Sequence, residues 1–197
     1  LDTPISESAF CGFALGAAIA GYKPIVEFNF AGLVFVSLDQ IFNQASKFKQ
    51  MSGGIQNVPI IYLLPTGSKG GLAGHHSDNP YAVLAHLGIK SYMPTHASQV
   101  DSIFKLAYAK KEPVAIFLAT EEFRNTRNLK NTTKATGLQK LYSEQNNNEL
   151  AIICTGTSIE KSIKALETCD DKKKYKCSLY GLNDLSIDAE TEKKILS

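Results

Sequence analysis

Apolar residues run along this chain in two alternating rhythms. Residues 58–64 (VPIIYLL), 113–118 (PVAIFL) and 149–154 (ELAIIC) are nearly continuous apolar runs. Such runs suit strands buried on both faces of a parallel sheet. Shorter runs at 24–30, 89–93 and 176–180 read as further strands. Between them the spacing becomes helical. Phe10, Ala14, Ala17 and Ala18 share a face that Leu15 and Ile19 widen, which predicts a helix from Glu7 with Ser6 as its cap. Phe35, Leu38, Ile41, Phe42, Ala45 and Phe48 predict one long amphipathic helix over 34–51, closed by Gly53 and Gly54. A short helix is expected over 81–87. Another runs from a Ser98 cap to Lys111 with Val100, Ile103, Phe104 and Ala107 inward. A last one is capped by Ser158, with Ile159, Ile163 and Leu166 inward.

Strand alternating with helix predicts an α/β fold, a parallel sheet with helices on both faces. The stretch 121–148 breaks the rhythm. It is rich in Lys, Arg, Asn and Thr, with one edge segment at 137–141. The expected organisation is a first domain over 1–124, a linker over 125–148 and the start of a second α/β domain over 149–197. One strand–helix–strand unit is too little for a closed domain, so the chain is expected to stop inside it.

Residues 65–80, PTGSKGGLAGHHSDNP, join a strand to a helix. In a parallel sheet such a loop lies at the carboxyl edge, where ligands bind. Gly67, Gly70, Gly71 and Gly74 permit close backbone approach, and His75 and His76 carry a proton that moves near neutral pH. The bland alternative is a solvated surface loop. Glu7 is the lone acid of an otherwise apolar, Gly- and Ala-rich helix. It is either a carboxylate answering the helix dipole or one offered to a ligand.

Composition narrows the classes. Apolar content of 44% and charged content of 20% suit a globular protein with a core. A net charge of +2 gives no general attraction to nucleic acid or membrane. Cys11, Cys154, Cys169 and Cys177 show no zinc-ligand spacing and read as free thiols. No run is long enough for a membrane span and no secretory leader is read, Leu1 looking like an internal residue.

In order, DTPISE, SAFCGFALGAAIAG, LDQIFNQASKF, MSGG, GGLAGHHS and their separations resemble one family. It is the beta subunit of the thiamine diphosphate-dependent E1 component of 2-oxo acid dehydrogenase complexes, the pyruvate, branched-chain and acetoin dehydrogenase types. The likeness is densest from Asp2 to Ser77. It implies a transketolase-like pyrimidine-binding domain followed by a smaller α/β domain. It implies thiamine diphosphate, with magnesium held mainly by an alpha subunit and no metal held by this chain. It also implies a tetramer of two alpha and two beta chains, a lipoyl acyltransferase (E2) partner and a small 2-oxo acid substrate. Glu7 matches the glutamate that hydrogen-bonds the aminopyrimidine ring and so promotes loss of the thiazolium C2 proton. Phe28 and Leu33 are implied to lie against the cofactor. His76 matches the loop histidine that steadies the substrate or helps acyl transfer. His75 is its neighbour, and Ser77 completes the HS pair and orients the loop. The location implied is cytoplasm in a bacterium, or mitochondrial matrix or plastid in a eukaryote, without secretion.

The chain departs from the pattern in places. Leu33 stands where relatives carry an aromatic ring, which weakens stacking by about 0.5–1.5 kcal/mol. Gly32 stands where many branched-chain and acetoin types carry an acid. The usual HxPG is shortened to His86-Leu87-Gly88. Lys110 and Lys111 do not match the acid near the family's potassium site, so that site is not expected here. Segments expected before Leu1 and after Ser197 are missing. Two alternatives therefore stand beside the enzyme subunit: a non-catalytic paralogue or fragment serving assembly, and the C-terminal part of a split transketolase-like enzyme.

Overall fold

The structure is a computed structural model that describes residues 1–67, 73–120, 137–143, 150–169, 177–187 and 189–196. Helix α1 (Glu7–Ile19) precedes strand β1 (Ile25–Glu27). A 3-10 segment (Ala31–Ser37), a π-helical segment (Asp39–Ser46) and α2 (Lys47–Met51) lead to β2 (Ile61–Thr66). Then follow α3 (Tyr81–His86), β3 (Lys90–Tyr92), α4 (Val100–Ala109) and β4 (Val114–Ala119). These four strands form one parallel sheet in the order β1-β2-β4-β3. Strands β5 (Leu138–Ser143), β6 (Leu150–Cys154) and β7 (Cys177–Leu182) form a second sheet, in the order β5-β7-β6. Helix α5 (Ser158–Thr168) connects β6 to β7, and α6 (Ala189–Leu196) follows.

The first sheet is covered on both faces, as its unbroken apolar strands require. One face packs Tyr62, Leu64, Ala115 and Phe117 against Cys11, Ala14, Ala18, Val34, Ile41 and Leu84. The other packs Ile61, Val114 and Ile116 against Ile103 and Ala107 of α4. The parallel α/β expectation holds here. In the second sheet β6 and β7 are parallel, whereas β5 is antiparallel to β7 and forms an edge. The segment expected at 137–141 is therefore a strand of the second sheet. The rest of the expected linker lies outside the described residues. Among the described residues no helix is long and apolar enough to cross a membrane. The four cysteines are free thiols.

Four local expectations need correction. The single helix over 34–51 is instead a 3-10 turn, a wide π-helical stretch and a short α-helix. Its apolar face is real, with Ile41 and Ala45 buried. The regular ladder yields because side chains take its acceptors: Ser37 Oγ donates to Val34 O at 3.1 Å and Ser46 Oγ to Phe42 O at 2.6 Å. Ser6 has extended backbone before α1 but makes no side-chain cap bond. Ser158 is the first residue of α5 and not its cap, and Ser98 does not cap α4. His96 opens that end, its Nδ1 accepting from Ser98 N at 3.2 Å, and α4 starts two residues later.

The two sheets are tied together at three points. The chain leaving β7 runs beside β3: Met93 N donates to Asn183 O and Leu185 N to Ser91 O, both at 2.8 Å. The Lys90 ammonium pairs with Asp184 at 2.7 Å. A buried polar chain links Thr95 to Gln99 and Gln99 Nε2 to Gln139 Oε1 of β5 at 2.7 Å. Gly156, in the β6–α5 turn, sits at φ +53 with its missing Cβ position hard against Met93 Sδ. An alanine there would meet both the left-handed backbone penalty and a thioether fixed in the core. Gly156→Ala is therefore expected to cost about 1–3 kcal/mol, read as a lower denaturant midpoint at unchanged slope. An unchanged midpoint would show that the joint at Met93 is loose.

Candidate functional site

Glu7 opens α1, and it is half-buried. Phe10 N donates to Ser6 O at 3.0 Å, so the helix is hydrogen-bonded from its first turn. A cleft of about 590 Å³ lies beside it, lined among others by Glu7, Phe10, Phe13, Pro24, Val26 and Glu27. Its lining mixes apolar and aromatic side chains with the carboxylates of Asp2, Glu7 and Glu27 and with Thr3 and Asn29. Glu27 was not singled out from the sequence. Its signal was the outward position after Val26 in β1, since alternate residues of a strand face opposite ways.

Phe28 is only 1% exposed. Its ring meets Phe10 edge to face at 5.3 Å, so it touches the cleft wall from behind. Leu33 lies in the 3-10 segment, half-buried and packed against the main core, with its N–H donated to Phe30 O at 3.1 Å. The same stretch is fastened to α1, where Ser8 Oγ donates to Val36 O at 2.7 Å.

His75 and His76 stand on an exposed 3-10 turn, Gly74–His76. The imidazole of His76 meets the Phe30 ring at 4.4 Å between centroids and 66° between planes. Ser77 Oγ donates to Ala73 O at 2.9 Å, so Ser77 does bind back into the loop. The glycines Gly70 and Gly71 lie outside the described residues. Gly67 has φ +70, a conformation that favours glycine. Glu7 and the histidine turn thus lie against one stretch, 28–37, Glu7 through α1 and His76 through Phe30. Sequence reasoning missed Phe30, since nothing in a strand pattern tells which loop returns over it.

Behind α1, burial pushes the Cys11 thiol up to about 11, against a hydrogen bond to Ser37 that pulls it down. The thiol is therefore protonated at neutral pH and is a small core group rather than a nucleophile. Burial likewise holds the Tyr62 phenol well above its usual range. Among the described residues no group of three or more His, Cys, Asp and Glu is set to hold a metal ion.

Residues 1–126 match the family model described as the transketolase pyrimidine-binding domain. The beta subunit of the mitochondrial pyruvate dehydrogenase E1 component of Bos taurus is 39% identical over 117 residues, 59% of this chain and 33% of the relative. The corresponding subunit of Mycoplasma pneumoniae is 33% identical over 162 residues, 80% of this chain and 49% of the relative. The chain thus spans between a third and a half of these relatives' length. Among solved structures, a mutant transketolase of Pichia stipitis superposes with a TM-score of 0.72 at 21% identity, over 96% of this chain and 28% of the other. Transketolase of Campylobacter jejuni gives 0.73 at 12% identity, over 97% and 30%. At such identities these two share the fold.

Proposed function

This chain belongs to the transketolase pyrimidine-binding-domain family, and from that premise we propose that it is the beta part of a thiamine diphosphate-dependent 2-oxo acid dehydrogenase E1. The observation that carries the proposal is Glu7 at the head of α1, facing a cleft whose other walls include Phe10, Phe13 and Val26. A flat, weakly basic heteroaromatic ring fits part of that lining: Phe10, Phe13 and Val26 for its faces and the half-buried Glu7 carboxylate for its nitrogen, with Asp2 and Glu27 adding negative charge that suits a weakly basic ring. When bound, thiamine diphosphate supplies the electron sink for decarboxylation.

The residues of this chain have distinct parts. Glu7 holds or accepts a proton at its carboxylate, at the N-terminal end of α1. Phe10 covers the ring, and Phe28 keeps Phe10 in place. Leu33, which packs against the main core rather than lining the cleft, backs the site less tightly than an aromatic residue would. His76, on the exposed turn, donates or accepts a proton toward the substrate carboxylate and the acyl group leaving for a lipoyl acceptor. His75 and Ser77 shape the turn. Magnesium and the diphosphate belong to an alpha-type partner, with which the chain assembles in a two-plus-two complex. The substrate is a small 2-oxo acid of the pyruvate kind. The organisation proposed is a pyrimidine-binding domain over 1–124 and the beginning of a C-terminal α/β domain over 149–197. The relatives' names carry the dehydrogenase reading over a sugar-phosphate one. Leu33 favours the second reading, a non-catalytic member kept for assembly.

Calorimetry with thiamine diphosphate and magnesium tests the proposal, on this chain alone and mixed with its alpha-type partner. Binding is expected only in the mixture. No heat from a mixture that has formed the complex would overturn the enzyme reading in favour of the assembly role.

A further inference from the structure

We propose that Phe30 and Gly32 are positioning residues for His76, a seat that holds the histidine turn in one working orientation. This rests on the role of His76 proposed above. The turn does not hold itself at low energy. Ala73 has φ 62 and ψ 175, and it is the one non-glycine residue with positive φ among the described residues. That region is nearly confined to glycine and costs about 1–3 kcal/mol for other residues. Two bonds converge on the Ala73 carbonyl, from Ser77 Oγ at 2.9 Å and His76 N at 3.3 Å. Ser77 N donates to Gly74 O at 3.2 Å. These bonds close the turn locally but do not fix it against the rest of the protein.

Two contacts outside the turn do. The Phe30 ring lies edge to face with His76 at 4.4 Å. Edge-to-face rings have a preferred geometry and so restrain the imidazole plane as well as its position. Gly32 provides the room. A Cβ there would stand 2.8 Å from the His75 carbonyl oxygen and 2.9 Å from Asp78 Oδ2. The exposed Asp78 side chain can turn aside, but the His75 carbonyl is backbone and cannot yield without the turn moving, so a side chain at 32 shifts the turn. Both residues belong to the stretch that also packs on α1, so the turn inherits its orientation from the body that carries Glu7.

The test uses Phe30→Leu, Phe30→Tyr and Gly32→Ala in this chain, and in the assembled complex for the rate. Phe30→Leu removes the ring and keeps an apolar side chain. It is expected to move the His76 Cε1–H resonance toward the free-imidazole value by loss of the ring current. It is expected to slow acyl transfer by about 100-fold at most, the scale for a group misplaced by about an ångström, with cofactor affinity unchanged. Phe30→Tyr restores both signal and rate. Gly32→Ala speeds amide exchange at His76 and Ser77. A wild-type His76 signal in Phe30→Leu, or wild-type exchange in Gly32→Ala, overturns the seat. If Phe30→Leu moves the signal while neither it nor His76→Ala changes transfer, the seat stands and the role given to His76 falls.

Discussion

Glu7→Gln is expected to leave the fold intact and to slow proton exchange at the cofactor's C2 by about 10²- to 10⁴-fold in the assembled enzyme, the range for loss of a positioned acid–base group. The replacement keeps size and hydrogen-bonding capacity but cannot hold a proton in exchange with a ring nitrogen. Glu7 lies in the first turn of α1 and lines the cleft with Phe10 and Val26. The cost to the fold is small. Loss of one charge at a helix N-terminus amounts to about 0.3–1 kcal/mol, visible only as a slightly lower unfolding midpoint. Deuterium exchange followed by NMR measures the effect, with circular dichroism as the control. Wild-type exchange in the variant would remove Glu7 from the chemistry and leave the dipole as its whole role.

His76→Ala is expected to separate two properties that Glu7→Gln does not. Acyl transfer to a lipoyl acceptor should fall about 100-fold or more, while thiamine diphosphate binds as before. The asymmetry follows from placement. His76 stands on an exposed turn beyond β2, whereas the walls around Glu7 come from the segment before α1, from α1 and from the region of β1, with no residue of the turn among them. Rapid-quench transfer rates and calorimetric affinities on the same preparation provide the two numbers. A variant that lost affinity but transferred normally once saturated would place His76 at the cofactor instead.

Most of the framework was legible because it rests on local rules. Near-continuous apolar runs marked β2 and β4, since strands buried on both faces have no polar side to show. The run at 149–154 also marked a strand, but β6 lies at the edge of its sheet with Leu150 and Ile153 exposed, so its apolar run does not report burial on both faces. Residue Glu7 at the head of a Gly- and Ala-rich helix was legible from spacing, and α1 begins there. Serine as a helix cap was the weaker inference. Ser6 is exposed and makes no side-chain cap bond, and at Ser98 the acceptor is supplied by His96 instead. The single helix over 34–51 was misread for a related reason: periodicity reports which side is buried, not which carbonyl each N–H reaches. Ser37 and Ser46 both take backbone acceptors there.

By itself, then, the sequence determined the alternation of strand and helix, the acid at the head of α1, the glycine-rich turn with His76, and through its motifs the family. Each is a property of neighbours in the chain, set by burial pattern, backbone freedom and residue type. Only the tertiary structure decided what meets across long separations. It set Phe30 on His76, Gly32 beneath the His75 carbonyl, Gln99 on Gln139, and Asp184 on Lys90. Those pairings depend on where distant segments return in space. A ring, an amide or a vacant Cβ position carries no mark in the sequence of the partner it will find.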